Sequence, residues 1–316
     1  MRLCIVLRSY GGDNDKNRPD FYSKDLALAS FLRAAQAVGA YGAQRGVDVR
    51  VVFANDGPIP RYRAEAMQRV GELRHTENGP VGLLDSYRFA LDLPDALGLA
   101  DDDVIAYVED DYLLLQDAFM ALIDGALELP QVQYFAISGS RPTDMSDKAQ
   151  RAFHGAPQVW HALPDLEAGG RTWINIMSVT STYAARVGAL RADRDIHELA
   201  MRPFRNRFLD HEMCLIYQGI RPYHGKDYFF GLPGDFVPGL RGVARAVRLL
   251  PYRFELNARA RAQKSPHPLY AVAPPVAVHL ELGMMWPDHD WRSEAEGVRA
   301  WARDSGFEMR EAHRPV

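Results

Sequence analysis

Val104-Ile105-Ala106-Tyr107-Val108-Glu109-Asp110-Asp111-Tyr112-Leu113-Leu114-Leu115 is the stretch whose reading decides the fold. Its first five residues are an unbroken apolar run with β-branched members, the pattern of a strand buried on both faces. Three acids follow without a spacer, so they stand where a central strand leaves its sheet. In open α/β sheets that carboxyl edge is where ligands bind. Three adjacent carboxylates repel one another unless a cation or a hydrogen-bonding ligand compensates, and Mg or Mn takes oxygen donors of this kind. The plainer reading of the triplet is a solvated loop with a turn at Asp111.

Outward from this run, the first half of the chain alternates strand and helix patterns. Strands are predicted at Leu3–Arg8, Val49–Ala54, Val104–Glu109 and Tyr134–Ser138. Helices are predicted from about Phe21 to Arg45, Arg61 to Val70, Gly82 to Leu93 and Asp117 to Leu129, with Pro19, Gly46, Pro60 and Pro130 as stops and starts. The alternation implies an α/β fold with a largely parallel sheet covered on both faces, and right-handed crossovers bring the strand ends to one edge. From Arg141 to Trp173 the pattern is irregular. A strand is then predicted at Ile174–Thr180, helices at Thr182–Arg191 and about Phe208–Gln218, a short strand at Val276–Glu281 and a final helix to about Arg303.

Composition sets the outer limits. The 316 residues, 47% hydrophobic and 25% charged, suffice for one large α/β domain or two small ones. A net charge of -4 gives no nucleic-acid signal. The charge is uneven, however: Arg241, Arg245, Arg248, Arg253, Arg259, Arg261 and Lys264 face only Glu255 within 241–264. That segment is expected to meet something anionic, a membrane surface included. Cys4 and Cys214 lie in strand and helix patterns and read as reduced core residues rather than a disulfide framework. The opening run Leu3–Leu7 is too short for a signal segment, and no apolar stretch approaches ~20 residues, so a cytoplasmic protein is expected, peripheral to a membrane at most.

Four loops share the predicted edge: Arg8-Ser9-Tyr10-Gly11-Gly12, Asn55-Asp56-Gly57, Glu77-Asn78-Gly79 and the acidic triplet. Neither GxGxxG nor GxxxxGK[ST] occurs at a strand-to-helix junction, which removes the main support for nicotinamide and ATPase chemistry. An acid closing the second strand can accept hydrogen bonds from a nucleobase or ribose, and the later acids can hold a metal that neutralises a diphosphate. Asp56 also suits a plain Asp-Gly turn. Asp210-His211-Glu212 opens a helix, where acids serve equally as caps and dipole partners.

In motif order, strand, Asp-Gly, helix, Asn-Gly, helix, strand, Glu-Asp-Asp and an acid-led helix, the chain from about Arg2 to Gly219 resembles the nucleotide-sugar-dependent glycosyltransferases of the GT-A fold, most like the family-two-type inverting enzymes. The resemblance implies a Rossmann-related mixed sheet over residues 1–235, with a nucleotide-sugar half to about 140 and an acceptor half to about 235. Residues 236–316 would then be an irregular C-terminal extension completing the site. It also implies a nucleoside-diphosphate sugar donor, a Mn or Mg ion, and an acceptor hydroxyl on a glycan, polysaccharide or lipid-linked precursor. Asp56 matches the acid that contacts uracil or ribose; Arg8, Tyr10, Glu109 and Asp110 fall to the donor, and Asp111 to the metal. Glu212 is the first choice for the base that deprotonates the acceptor, with Asp210 second. His279 is the natural late metal ligand; alternation sets it on one strand face with Glu281, although a lone His in an apolar strand is ordinarily a packed residue. The departures are the long Gly/Asp/Asn-rich continuation after Arg8-Ser9-Tyr10 and a metal motif that begins with Glu.

Other readings compete. Asp210-His211-Glu212, His279-Leu280-Glu281 and Asp288-His289-Asp290 together suggest a metallohydrolase, though without recognised ligand spacing. A nucleotidyltransferase lacks its Gly-rich loop. A non-catalytic nucleotide- or carbohydrate-binding protein would use Trp160, Trp173 and Trp286 as stacking platforms, unless these are core residues. Arg88 is either a diphosphate contact or, preferably, a surface helix residue.

Overall fold

The computed structural model describes residues 1–12, 16–205, 208–232 and 238–310. Its first half follows the alternation: β1 (Arg2–Tyr10), α1 (Lys24–Gln44), β2 (Asp48–Asp56), α2 (Arg61–Val70), β3 (Glu72–His75), α3 (Leu83–Ala96), β4 (Val104–Glu109), β5 (Tyr112–Leu114), α4 (Ala118–Glu128) and β6 (Tyr134–Ala136). The second half contains α5 (Lys148–His154), β7 (Leu166–Ala168), β8 (Arg171–Asn175), β9 (Tyr183–Arg186), α6 (Val187–Ala192), α7 (Arg194–Met201) and α8 (Asp210–Tyr217). It closes with α9 (Asp227–Phe230), α10 (Leu240–Ala262), β10 (Leu269–Ala273), β11 (Ala277–His279) and α11 (Trp291–Asp304).

Nine strands form one sheet in the order β3-β2-β1-β4-β9-β6-β10-β8-β7, while β11 pairs separately with β5. Only β9 and β8 run against the rest, so the sheet is mixed and mostly parallel. Alternation along β1 divides the core between two faces. Leu3, Ile5 and Leu7 join Phe31, Phe53 and Phe119 on one side, where α1 and α4 pack; Cys4 and Val6 join Tyr87, Tyr107 and Tyr134 on the other. Both cysteines are buried and unbridged, as expected, and burial pushes their thiols up to about 12.

Several boundaries differ from the sequence reading. The segment predicted as a helix over Thr182–Arg191 begins as β9, which pairs antiparallel with β4 and β6, and becomes helical only at Val187. Tyr-Ala-Ala-Arg has helical propensity, but this slot offers ladder partners on both edges, and tertiary pairing outweighs propensity. The strand predicted at Ile174–Thr180 is β8, which starts three residues earlier and ends five earlier; the chain turns at Ser181, whose φ is 40°. β3 escapes sequence detection because Glu-Leu-Arg-His carries no apolar run; it is a charged edge strand. Among the described residues beyond 236 there are two helices and two strands, and β10 lies between β6 and β8 inside the main sheet. Residues on both sides of 235 therefore share that sheet.

A polar cluster pins the second face. Tyr87 Oη lies 2.9 Å from Tyr183 Oη and 3.0 Å from His197 Nδ1, and burial lowers the His197 pKa to about 4 from 6.5. Between those values the unfolded chain takes up the proton that folded His197 refuses, so this contribution is complete above pH 6.5 and lost as pH falls toward 4. His197→Gln is expected to flatten that part of the stability–pH curve, read as urea midpoints from about pH 7 to about pH 4.5. Parallel curves for variant and wild type would contradict it.

Candidate active site

The strand order 3-2-1-4 reverses between β1 and β4, and a crevice outside the carboxyl ends of such strands is the general ligand site of open α/β sheets. A cavity of about 580 Å³ opens there, lined by Arg8, Ser9 and Tyr10 at the end of β1, Ala54 and Asp56 of β2, Pro80–Leu83 at the entry to α3, Glu109 closing β4, and Asp110 and Asp111 after it. The sequence reading expected Arg8, Tyr10, Asp56, Glu109, Asp110 and Asp111 at one edge, and the fold brings all six to one cavity.

Each acid of the triplet has its own cation. Arg8 Nη1 lies 3.3 Å from Glu109 Oε1, Lys24 Nζ donates to Asp110 Oδ2 at 2.8 Å, and Arg18 Nη2 donates to Asp111 Oδ2 at 2.8 Å. Burial raises the Glu109 pKa to about 7 and Asp110 above the ordinary carboxyl value, although Arg8 and Lys24 oppose the rise. Burial acts the same way on Asp111, but there hydrogen bonds and charge from His279 and Arg18 win and hold it low. Tyr10 contributes its backbone N–H to Asp110 at 2.8 Å, while its side chain is exposed.

His279 meets Asp111 as the resemblance implied: its Nε2 is 3.0 Å from Asp111 Oδ2, and its ring stacks on Tyr112 at 5.1 Å. The antiparallel β5–β11 pair makes this contact, setting His279 opposite Tyr112. Asp111 Oδ1 is buried with no hydrogen-bond partner. A donor-free carboxylate oxygen, on the same carboxylate whose other oxygen meets an imidazole, is the ligand chemistry a divalent cation takes, and Asp111 and His279 would hold one with oxygens of a ligand completing its shell. No group of three or more His, Cys, Asp or Glu side chains suited to a metal occurs among the described residues. Asp288, His289 and Asp290 are exposed, and Asp290 caps α11 through Ser293 N, so they add nothing to a two-metal centre.

On the far side of the Asp111–His279 pair lies a second cavity of about 400 Å³, bordered by His279, Tyr112, Ser178, Thr180, Asp210, His211 and Trp286. Asp210 opens α8, and burial raises its pKa, with the nearby Glu212 charge adding to the rise. His211 is held by Ser178 Oγ at 2.6 Å and Gly155 O at 3.0 Å. Gly155 has φ 61°, and a Cβ there would stand 3.2 Å from the His211 ring, so glycine suits both backbone and neighbour. Glu212, the first choice from sequence, is not in this cavity. Residues two apart on a helix face opposite sides, and Glu212 is buried behind α8, where Tyr223 Oη donates to it at 2.6 Å. Of the two acids, Asp210 is the one that lines this cavity.

Other expectations resolve by burial and pairing. Trp160 and Trp173 are core residues, leaving Trp286 alone of the three at a cavity. Arg88 pairs with Asp85 at 2.7 Å and Glu198 at 3.0 Å, away from the acidic triplet, as a surface helix residue. Sequence reasoning missed Arg18 and Lys24. Both follow the β1 loop, and the only available signal was the charge of residues entering α1 beside a triplet that needed neutralising.

Asp56, closing β2, is wrapped by the loop after β3: Oδ1 accepts from Thr76 Oγ1 at 2.7 Å and Val81 N at 2.8 Å, and Oδ2 from Gly82 N at 3.0 Å. A Cβ on Gly79 would stand 3.0 Å from Asp56 Oδ1, so the wrap also needs glycine. Asp56→Ala is expected to lower unfolding free energy by roughly 2 kcal/mol, because three donors lose their acceptor. Urea denaturation measures this, and unchanged stability would contradict the loop-anchoring role.

No family model and no curated protein matches the chain. Among solved structures it is similar to glucosyl-3-phosphoglycerate synthase from Mycobacterium tuberculosis in complex with Mn2+, UDP-glucose and phosphoglyceric acid, at 13% identity over 82% of this chain and 79% of that one, with a TM-score of 0.37. It is also similar to 4-diphosphocytidyl-2C-methyl-D-erythritol synthase, at 15% identity over 79% of this chain and 98% of that one, TM-score 0.33. A glycosyltransferase involved in glycosylation of the major capsid of PBCV-1 matches at 11% identity over 94% and 99% of the two chains, TM-score 0.30. Likenesses at these scores assign no residue a role.

Proposed function

We propose that this chain is a glycosyltransferase that moves a sugar from a nucleoside-diphosphate sugar to an acceptor hydroxyl, with inversion at the anomeric carbon. The observation that carries the reading is the junction of two cavities at the Asp111–His279 pair, with the half-buried carboxylate of Asp210 on the far side. A diphosphate donor needs positive charge at its phosphates, and an acceptor hydroxyl needs a proton acceptor across the reacting carbon. The two cavities supply these separately.

In this reading the larger cavity takes the nucleotide, with Asp56 holding the loop Thr76–Gly82 as its wall. Arg8 is buried, lines that cavity and has an Nε without a hydrogen-bond partner, so it offers a donor to a phosphate oxygen. Bound by Asp111 and His279, Mn or Mg would neutralise charge on the departing diphosphate. Asp210 accepts the proton of the acceptor hydroxyl as its oxygen bonds to the anomeric carbon, and the bond to the diphosphate breaks on the opposite face. Burial suits Asp210 to this task, because a carboxylate with a raised pKa is a stronger base. Trp286 offers the acceptor an apolar ring at the cavity wall. The acceptor is a hydroxyl of a glycan, polysaccharide or lipid-linked precursor.

The test begins with thermal-shift screening of UDP- and GDP-sugars with Mn, and continues with transfer assays on two variants. Asp210→Asn is expected to keep donor affinity and lose transfer by ~10²-fold or more, the scale for removing a positioned proton acceptor. Glu212→Gln is expected to keep transfer near wild type and lower stability by about 1–3 kcal/mol through its weakened bond to Tyr223. Full transfer by Asp210→Asn would remove it as the base, and a collapse confined to Glu212→Gln would restore the other acid.

A further inference from the structure

The basic segment singled out in the sequence forms α10, a helix of 23 residues, about 34 Å long. One face is packed: Leu249, Leu256 and Ala260 are buried, and the helix lies against α7, α8 and α9. The opposite face is also apolar. Leu240, Val243, Val247 and Phe254 are 89%, 59%, 67% and 55% exposed, and their spacings of three, four and seven residues set them in one stripe. Apolar side chains this exposed form a ridge rather than a groove. Beside it, Tyr228 of α9 stacks on Phe254 at 4.6 Å, next in sequence to exposed Phe229 and Phe230.

Charge identifies what such a ridge meets. At about 100° per residue, Arg241 and Arg248 fall together on one exposed side of the helix, about 110–130° round from the centre of the stripe, and Arg248 lies over the Phe204 ring at 5.7 Å, whereas Arg245 is turned toward Leu249, Leu256 and Glu212. Glu255, the single acid of α10, is neutralised by Arg202 at 2.6 Å. An apolar crest bordered by arginines is the pattern of a helix lying in the plane of a bilayer interface, with side chains among acyl carbons and guanidinium groups at anionic headgroups. No described helix is long and apolar enough to cross a membrane. We propose that α10 is an interfacial helix that docks this protein on an anionic bilayer. The docking is independent of the transfer reaction, because α10 stands behind α8 with Glu212 and Tyr223, on the side away from Asp210 and its cavity.

The experiment is co-sedimentation of the full chain with vesicles of phosphatidylcholine alone, or with about 30% phosphatidylglycerol. Wild type is expected to bind the anionic vesicles at least ~10-fold more tightly, and added salt to weaken the binding. The double change Val243→Glu with Val247→Glu is expected to abolish binding, and Arg241→Glu with Arg248→Glu to reduce it about 10-fold or more, with melting temperatures close to wild type because all four side chains are on the helix surface. Absence of wild-type binding, equal binding to both vesicles, or full binding by the valine variant would each overturn the proposal. A wild-type dimer that ignores vesicles and becomes a monomer in the valine variant would show instead that a second copy covers the ridge.

Discussion

A carboxylate triplet can stand at the end of a buried central strand only if its charges are met one by one, and here Arg8, Lys24 and Arg18 meet Glu109, Asp110 and Asp111. The cations come from β1, the start of α1 and the loop between them, so the pairing also fastens that loop over the carboxyl edge of the sheet. Removing one cation would leave an acid buried and uncompensated, which costs far more than a surface ion pair contributes. The floor of the larger cavity is thus a charge-balanced surface.

Balance is incomplete at one point. Asp111 gives one oxygen to both Arg18 and His279 and leaves the other buried without a donor. The antiparallel β5–β11 pair holds His279 against Tyr112 and so carries the late chain to the mouth of β4. Beyond His279 the wall passes to Asp210 at the head of α8. The two cavities therefore meet at a pair of residues 168 positions apart, joined by a short two-stranded sheet.

The parallel core was legible because β1, β2 and β4 are apolar runs and their loops carry the polar residues; β4 was placed to the residue. The sequence alone also grouped Asp111 with His279, through the resemblance. What it concealed depends on tertiary contacts. Tyr183–Arg186 reads as helix until β4 and β6 flank it, and β3 has no apolar signature. Asp210 and Glu212 are equivalent in a first turn until packing decides which faces a cavity and which faces Tyr223. Arg18 and Lys24 are unremarkable cations in a loop and a helix start; only the folded edge shows that they complete the triplet.

The most direct measurement is calorimetric titration of the intact protein with UDP and with GDP, in Mn and after chelation, for wild type and Asp111→Asn. The account predicts that at least one nucleotide binds wild type about 10-fold or more tightly in Mn, and that Asp111→Asn loses this gain while remaining folded. Nucleotide affinity indifferent to both Mn and the substitution, or no affinity for either nucleotide, would contradict it.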